Sequence, residues 1–241
     1  MPASRWQTNP AEIFDWIDEN DVELLDLLMP SLFTHFPANQ ENGNPPAPEP
    51  ASPEPAAPTP EIVPILPLRG VVVFPQTAVP LTIGQPRSIK LVDDVVGGDR
   101  FVGLVAARNP ELETPGPEEL YPIGTLATVH RLLRAPDGTI RLLVQGLERI
   151  RILEFTQTEP YLMAKIERHP ETVETGLEID ALARNARDQF SAIAELIPSF
   201  PRELVGSIAV LEDPLQTVYS IVNFQRIDLA DAQQLLELDS T

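Results

Sequence analysis

The side chains able to do chemistry in this sequence are few and scattered: three histidines, no cysteine, and serines and lysines without an evident base or partner. His35, His130 and His169 have no companion at metal-ligand spacing, so they read as structural histidines and no metal site is expected. Zero cysteines exclude disulfides, thiolate metal sites and a cysteine nucleophile together. A serine nucleophile needs a neighbouring base, yet no GxSxG elbow occurs, and Ser88 and Ser207 fall in helical patterns. Lys90 and Lys165 leave a serine-lysine dyad open on composition, but nothing in the pattern sets either amine beside a serine hydroxyl. Asp93-Asp94 closes a helical pattern and reads as a solvated face rather than an acid and base pair. No glycine-rich loop carries GKS or GKT, so no nucleotide phosphates are cradled. The expectation is a chain with no catalytic residues and no cofactor. Apolar surface, loops and linkers are the equipment of a binding module.

Charge narrows the partners. With 36 acidic against 17 basic residues the net charge is -19, which opposes nucleic acid and anionic membrane surfaces alike. No apolar run is long enough to span a bilayer, and the opening MPASRWQTNPAEIF has neither a signal-peptide core nor the arginine-rich character of a transit peptide. A soluble, cytoplasmic protein is expected.

The elements that must carry any binding surface follow from periodicity and punctuation. In residues 1–37, Asn9, Pro10 and Glu12 make a helix start before Ile13, Phe14, Trp16 and Ile17; Asn20 or Asp21 caps a second helix through Val22, Leu24, Leu25, Leu27 and Leu28. Acidic residues interleave with these, giving an acidic amphipathic extension that either docks on a partner or folds back on its own domain. Residues 38–61 alternate proline with alanine, glutamate and serine and read as an extended linker. Residues 63–84 then open the folded part. Pro64, Pro67, Pro75 and Pro80 predict short strands near a sheet edge, the best being residues 71–74, Val-Val-Val-Phe between Gly70 and Pro75.

A short helix is predicted over 87–96 with Ile89, Val92 and Val96 on one side, ended by Gly97-Gly98. Strands follow at 101–107, at 125–134 and 139–144 around the turn Ala135-Pro136-Asp137-Gly138, at 147–155 after a break at Gln145-Gly146, and at 161–168 with Leu162, Ala164 and Ile166 inward. Ile150, Ile152 and Phe155 oppose an outer set of Arg149, Arg151 and Glu154. This makes about six strands and one helix, favouring a closed or strongly coiled antiparallel sheet. After residue 170 the period changes. A capping box at Thr175 and Glu178 starts a helix carrying Ile179, Leu182, Ala183, Ala186, Phe190, Ile193, Ala194 and Ile197; three shorter helices follow, one capped by Asp213 and one by Asp228.

The residues and their order resemble one family. ILPLRGVVVFPQTAVPLTIGQPRSI, then LVAARNPELETPGPEELYPIGTLATVHRLLRAPDGTIRLLVQGLERIRI, then helices ending EDPLQTVYSIVNFQRIDLADAQQLLEL resemble the amino-terminal substrate-binding domain of ATP-dependent Lon proteases over residues 62–238. The resemblance implies an α+β fold in which a PUA-like, β-rich pseudo-barrel lobe, residues 62–170, precedes a helical bundle, residues 171–241. It also implies recognition of unfolded or damaged polypeptides and help in hexamer assembly, with the ATPase and peptidase domains of the same protease as partners. The sequence ends at Thr241, before those domains, so no ATPase or protease activity is expected of this chain, and residues 1–61 lie outside the family's pattern.

The expected substrate patch comprises Phe74, Val79, Pro80 and Leu81 at the first-strand turn, with Leu112 and Pro115 from the proline-rich loop. Core packing is the competing reading for each of them, Phe74 above all. A second function class is a non-catalytic adaptor or self-association module using Phe14, Trp16, Leu24 and Leu28. A third, RNA binding, requires Arg131, Arg134, Arg141, Arg149 and Arg151 to share one face against the acidity of the chain.

Overall fold

The computed structural model describes residues 60–172, 176–197, 202–223 and 227–239. The helices expected in residues 1–37, nearly all of the linker and the Thr175 half of the capping box lie outside the described residues. Six strands, β1 (Ile62–Leu68), β2 (Ala78–Ile83), β3 (Phe101–Ala106), β4 (Ile123–Arg134), β5 (Ile140–Gln157) and β6 (Leu162–Arg168), form one sheet in the order β2-β5-β4-β3-β1-β6. Because β5 also pairs with β6, strands β5, β4, β3, β1 and β6 close into a ring. Helix α1 (Pro86–Gly97) crosses from β2 to β3. Helices α2 (Leu177–Glu195), α3 (Arg202–Ala209), α4 (Pro214–Asn223) and α5 (Leu229–Glu237) follow the last strand.

β1 corrects the edge expectation. It is an interior strand, antiparallel to β6 over Ile62–Ile65 and parallel to β3 over Ile65–Leu68. Pro64 lies outside the part paired with β3 and Pro67 outside the part paired with β6. Each proline therefore withholds an amide where the strand has a single ladder partner. The β1-β3 pair is also the one parallel pairing in a sheet expected to be antiparallel throughout. Both faces of β1 are covered: Leu66 and Leu68 meet Val92 and Val95 in the core beneath α1, while Val63 and Ile65 join Ile150, Leu162 and Ala164 in a second core. Two buried faces explain the nearly unbroken apolar runs of β1 and β3.

Residues 71–74 form no strand, although Val72, Val73 and Phe74 are buried. Gly70, with φ +73°, turns the chain out of β1, and side chains satisfy carbonyls that a ladder would otherwise use. Thr125 donates to the Val73 carbonyl at 2.6 Å and Thr77 to the Phe74 carbonyl at 2.7 Å. The Gln145-Gly146 break is likewise absent. β5 runs through it for 18 residues, with a register shift against Leu126 and Ala127 that leaves Leu147 as the extra residue.

The hairpin of β4 and β5 is as the turn residues predict. Asp137 accepts from the Thr139 amide at 2.9 Å and hydroxyl at 2.7 Å, and these bonds, the hydroxyl's first, hold its carboxyl below the ordinary aspartate range. Leu162, Ala164 and Ile166 point inward as expected. In α1 the buried set is Leu91, Val92 and Val95, one step round from the expected Ile89, Val92 and Val96.

The helices meet the strands through a shared core of Val72, Phe74, Ala106, Ile123, Tyr219, Ala232 and Leu236. Phe74 stacks on Tyr219 with ring centroids 4.9 Å apart. The Tyr219 hydroxyl donates to Glu171 at 2.9 Å, and burial first, then the neighbouring carboxylate, raises its pKa well above that of an ordinary tyrosine. A raised folded-state pKa means that the neutral phenol's contribution is complete below about pH 10 and fades as pH rises through the folded value. Alkaline denaturation followed by circular dichroism should therefore steepen above about pH 10 in the natural sequence and be shallower in Tyr219→Phe.

Candidate functional site

α1 ends where the Gly98 and Arg100 amides both donate to the Val95 carbonyl at 3.1 Å, and Arg100, with φ +62°, reverses the chain into β3. That reversal sets Asp94, Asp99, Arg100 and Phe101 beside the first residues of β1 and the start of β6. Together with Pro60, Ile62, Pro64, Tyr161 and Met163 they line an open pocket of about 240 Å³. Tyr161 fastens one wall, its hydroxyl donating to Asp94 at 2.9 Å; burial, then Asp94, raises the phenol's pKa. Phe101, Tyr161 and Met163 are half-buried and Ile62 is exposed, so the lining keeps apolar surface in contact with water. A thioether, two rings and two prolines offer adaptable apolar contact, rimmed by two carboxylates and one guanidinium.

The residues singled out from the sequence fall elsewhere. Phe74, Val79, Leu81 and Pro115 are buried, Pro80 is half-buried in β2 opposite Leu143, and only Leu112 is exposed. β2 turns Val79 and Leu81 into the core under α1, and Phe74 is taken up by Tyr219. The six do not form one surface.

Among the described residues no three His, Asp or Glu side chains converge as metal ligands. His130 bonds Gln145 at 2.7 Å, and His169 lies 2.9 Å from Arg151 and 3.2 Å from Asp239. Ser207 is buried in α3 while Lys165 is exposed in β6. The five arginines do not make a basic face either: Arg149 is wholly buried, Arg134 pairs with Asp93 and Arg151 with Glu167.

Arg149 corrects the expectation of an outer arginine. Its guanidinium donates to the carbonyls of His169 at 2.6 Å, Leu236 at 2.9 Å, Leu238 at 2.5 Å and Pro170 at 3.4 Å, and to Asp239 at 3.1 Å. It fastens the end of α5 to the sheet. Nothing local separates it from Arg151, which shares its side of the strand. The difference is made by a carbonyl 87 residues away.

The model of the ATP-dependent protease La (LON) substrate-binding domain matches residues 62–241. The chain belongs to the Lon substrate-binding domain family. Lon protease 1 of Herpetosiphon aurantiacus is 46% identical over 182 residues, covering 73% of this chain and 22% of that protein. Lon protease of Dictyoglomus thermophilum is 42% identical over 178 residues, covering 74% and 22%. The N-terminal domain of the Mycobacterium avium complex Lon protease has a similar fold, with a TM-score of 0.59 over 74% of this chain and 91% of that one at 20% identity. The chain thus spans about a fifth of the length of these curated Lon proteases and matches their substrate-binding part.

Proposed function

We propose that this chain is the recognition part of an ATP-dependent protease, that it captures apolar segments of unfolded or damaged polypeptides, and that it aids assembly of a hexamer. We also read the strand ring as a PUA-like pseudo-barrel and helices α2 to α5 as its bundle lobe. The observation that carries the capture reading is the open pocket bounded by Ile62, Phe101, Tyr161 and Met163. A site for many sequences cannot rely on a fixed set of hydrogen bonds, whereas apolar burial at ~25 cal/mol per Å² accumulates without register. A pocket this small gives weak single contacts, and several copies in one assembly raise the avidity.

The test is fluorescence anisotropy with a labelled, permanently unfolded protein. Ile62→Glu with Met163→Glu is expected to weaken binding about tenfold, the equivalent of roughly 1.4 kcal/mol, while circular dichroism and the melting temperature stay unchanged. Unchanged binding by a folded double variant would refute the pocket as the capture site.

A further inference from the structure

Helix α4 is apolar on two opposite sides. Tyr219, with Leu215 and Val222, faces the strands and packs with Phe74, whereas Ile221, ~200° round the helix, belongs to a separate core with Phe190 of α2, Ile208 of α3 and Leu211 just after it. Among the described residues, no side chain of α2 or α3 enters the three cores that hold the strands. Helix α2 buries only Ala183, Phe190 and Ala194 of its 19 residues, and its Arg187 donates to Thr217 of α4 at 3.2 Å. The other two helices go with the strands. α4 and α5 supply Tyr219, Ala232 and Leu236 to the core shared with Phe74 and Ile123, and Gln233 of α5 donates to the Ile123 carbonyl at 3.0 Å. Arg149 holds the Leu236 and Leu238 carbonyls, and the Thr172 amide donates to the Asp239 carbonyl at 2.9 Å. The stretch after β6 and the end of α5 are therefore tied to each other without help from α2 or α3.

We infer that α2 and α3 form a unit that opens while the strands, α4 and α5 stay folded. Short helices draw most of their stability from the face they bury rather than from propensity, and here that face is one small core against α4. Gly206 in the middle of α3 weakens that helix further. Regions with few buried apolar contacts are where local opening occurs below the free energy of global unfolding. Opening uncovers Phe190, Ile208, Leu211 and Ile221, an apolar surface hidden in the closed chain and distinct from the pocket at the start of β1. The inference does not depend on what that pocket binds.

Amide hydrogen exchange of the full chain, followed by NMR at increasing urea below the unfolding transition, tests this. Amides of α2 and α3 are expected to share one opening, to be protected at least tenfold less than the slowest amides of β3 and β4, and to show a shallower urea dependence because less surface is exposed. Two conservative variants separate local from global opening. Ile140→Val thins the core beneath α1, so it should speed exchange of the slowest strand amides about two- to tenfold and leave α2 and α3 unchanged. Ile208→Val should speed both sets alike, because global unfolding includes the opening of this unit. If α2 and α3 share the protection and urea slope of the strands, or exchange faster in Ile140→Val, the chain is one cooperative unit and the inference is overturned. Different urea slopes for α2 and α3 would overturn it as well, since the two helices would then open separately.

Discussion

Arg149→Ala is expected to destabilise the chain by about 3–5 kcal/mol and to release α5 from the sheet. Removing the guanidinium strips the carbonyls of His169, Leu236 and Leu238 of a donor in a place where Arg149 itself is fully buried. The Leu236 carbonyl is the fully buried acceptor and costs about 1–3 kcal/mol when orphaned; the part-buried His169 and Leu238 carbonyls lose less, and the cavity left by the buried side chain supplies the rest. Arg149→Lys should recover little. One ammonium cannot reproduce a planar fork that reaches from His169 on one side to Leu238 and Asp239 on the other. Urea denaturation should show the lowered midpoint, and hydrogen exchange should show protection lost first in α5 and in the Phe74-Tyr219 contact region. Full stability in Arg149→Ala would mean that the shared apolar core alone holds the helices.

That arginine marks the limit of what was legible beforehand. Local signals carried the parts whose cause is local. The β4-β5 hairpin follows from Asp137 and Gly138 at its turn, the inward face of β6 from alternation, and α1 from its apolar spacing before Gly97-Gly98. Features decided by remote partners were misread. Residues 71–74 have the composition of a strand, but Thr77 and Thr125 take the places that a neighbouring strand would fill. Pro64 and Pro67 suggest an edge only until it is known that β6 and β3 each cover half of β1. The expected patch failed to assemble for a related reason. Phe74, Val79 and Leu81 are apolar enough to bind a partner, and the protein's own core is the partner they found. The pocket at the start of β1 was invisible because α1, β3 and β6 bring its walls together from positions 60 to 163.

Gly146→Ala is expected to cost about 3–5 kcal/mol, a large loss for a single methyl group. A β-carbon at Gly146 would stand 2.3 Å from the Phe74 carbonyl oxygen and 3.1 Å from the Thr125 side chain. The first obstacle is backbone, so no rotamer change relieves it, and the crossing through residues 71–77 must move instead. Moving it disturbs the paired bonds of Gln76 and Thr77 with Gly146, each 2.9 Å, and then the stacking of Phe74 on Tyr219. Overpacking of about 1–3 kcal/mol and two backbone bonds at about 1 kcal/mol each account for the estimate. Gly206→Ala is the matched control. Its added methyl meets nothing within 4 Å in helix α3, so it should leave stability unchanged or raise it by about 0.5–1 kcal/mol. If urea midpoints showed the two variants alike, the close approach of β5 to the 71–77 crossing would not be what demands glycine. The glycine that looked like a strand break would then need another explanation.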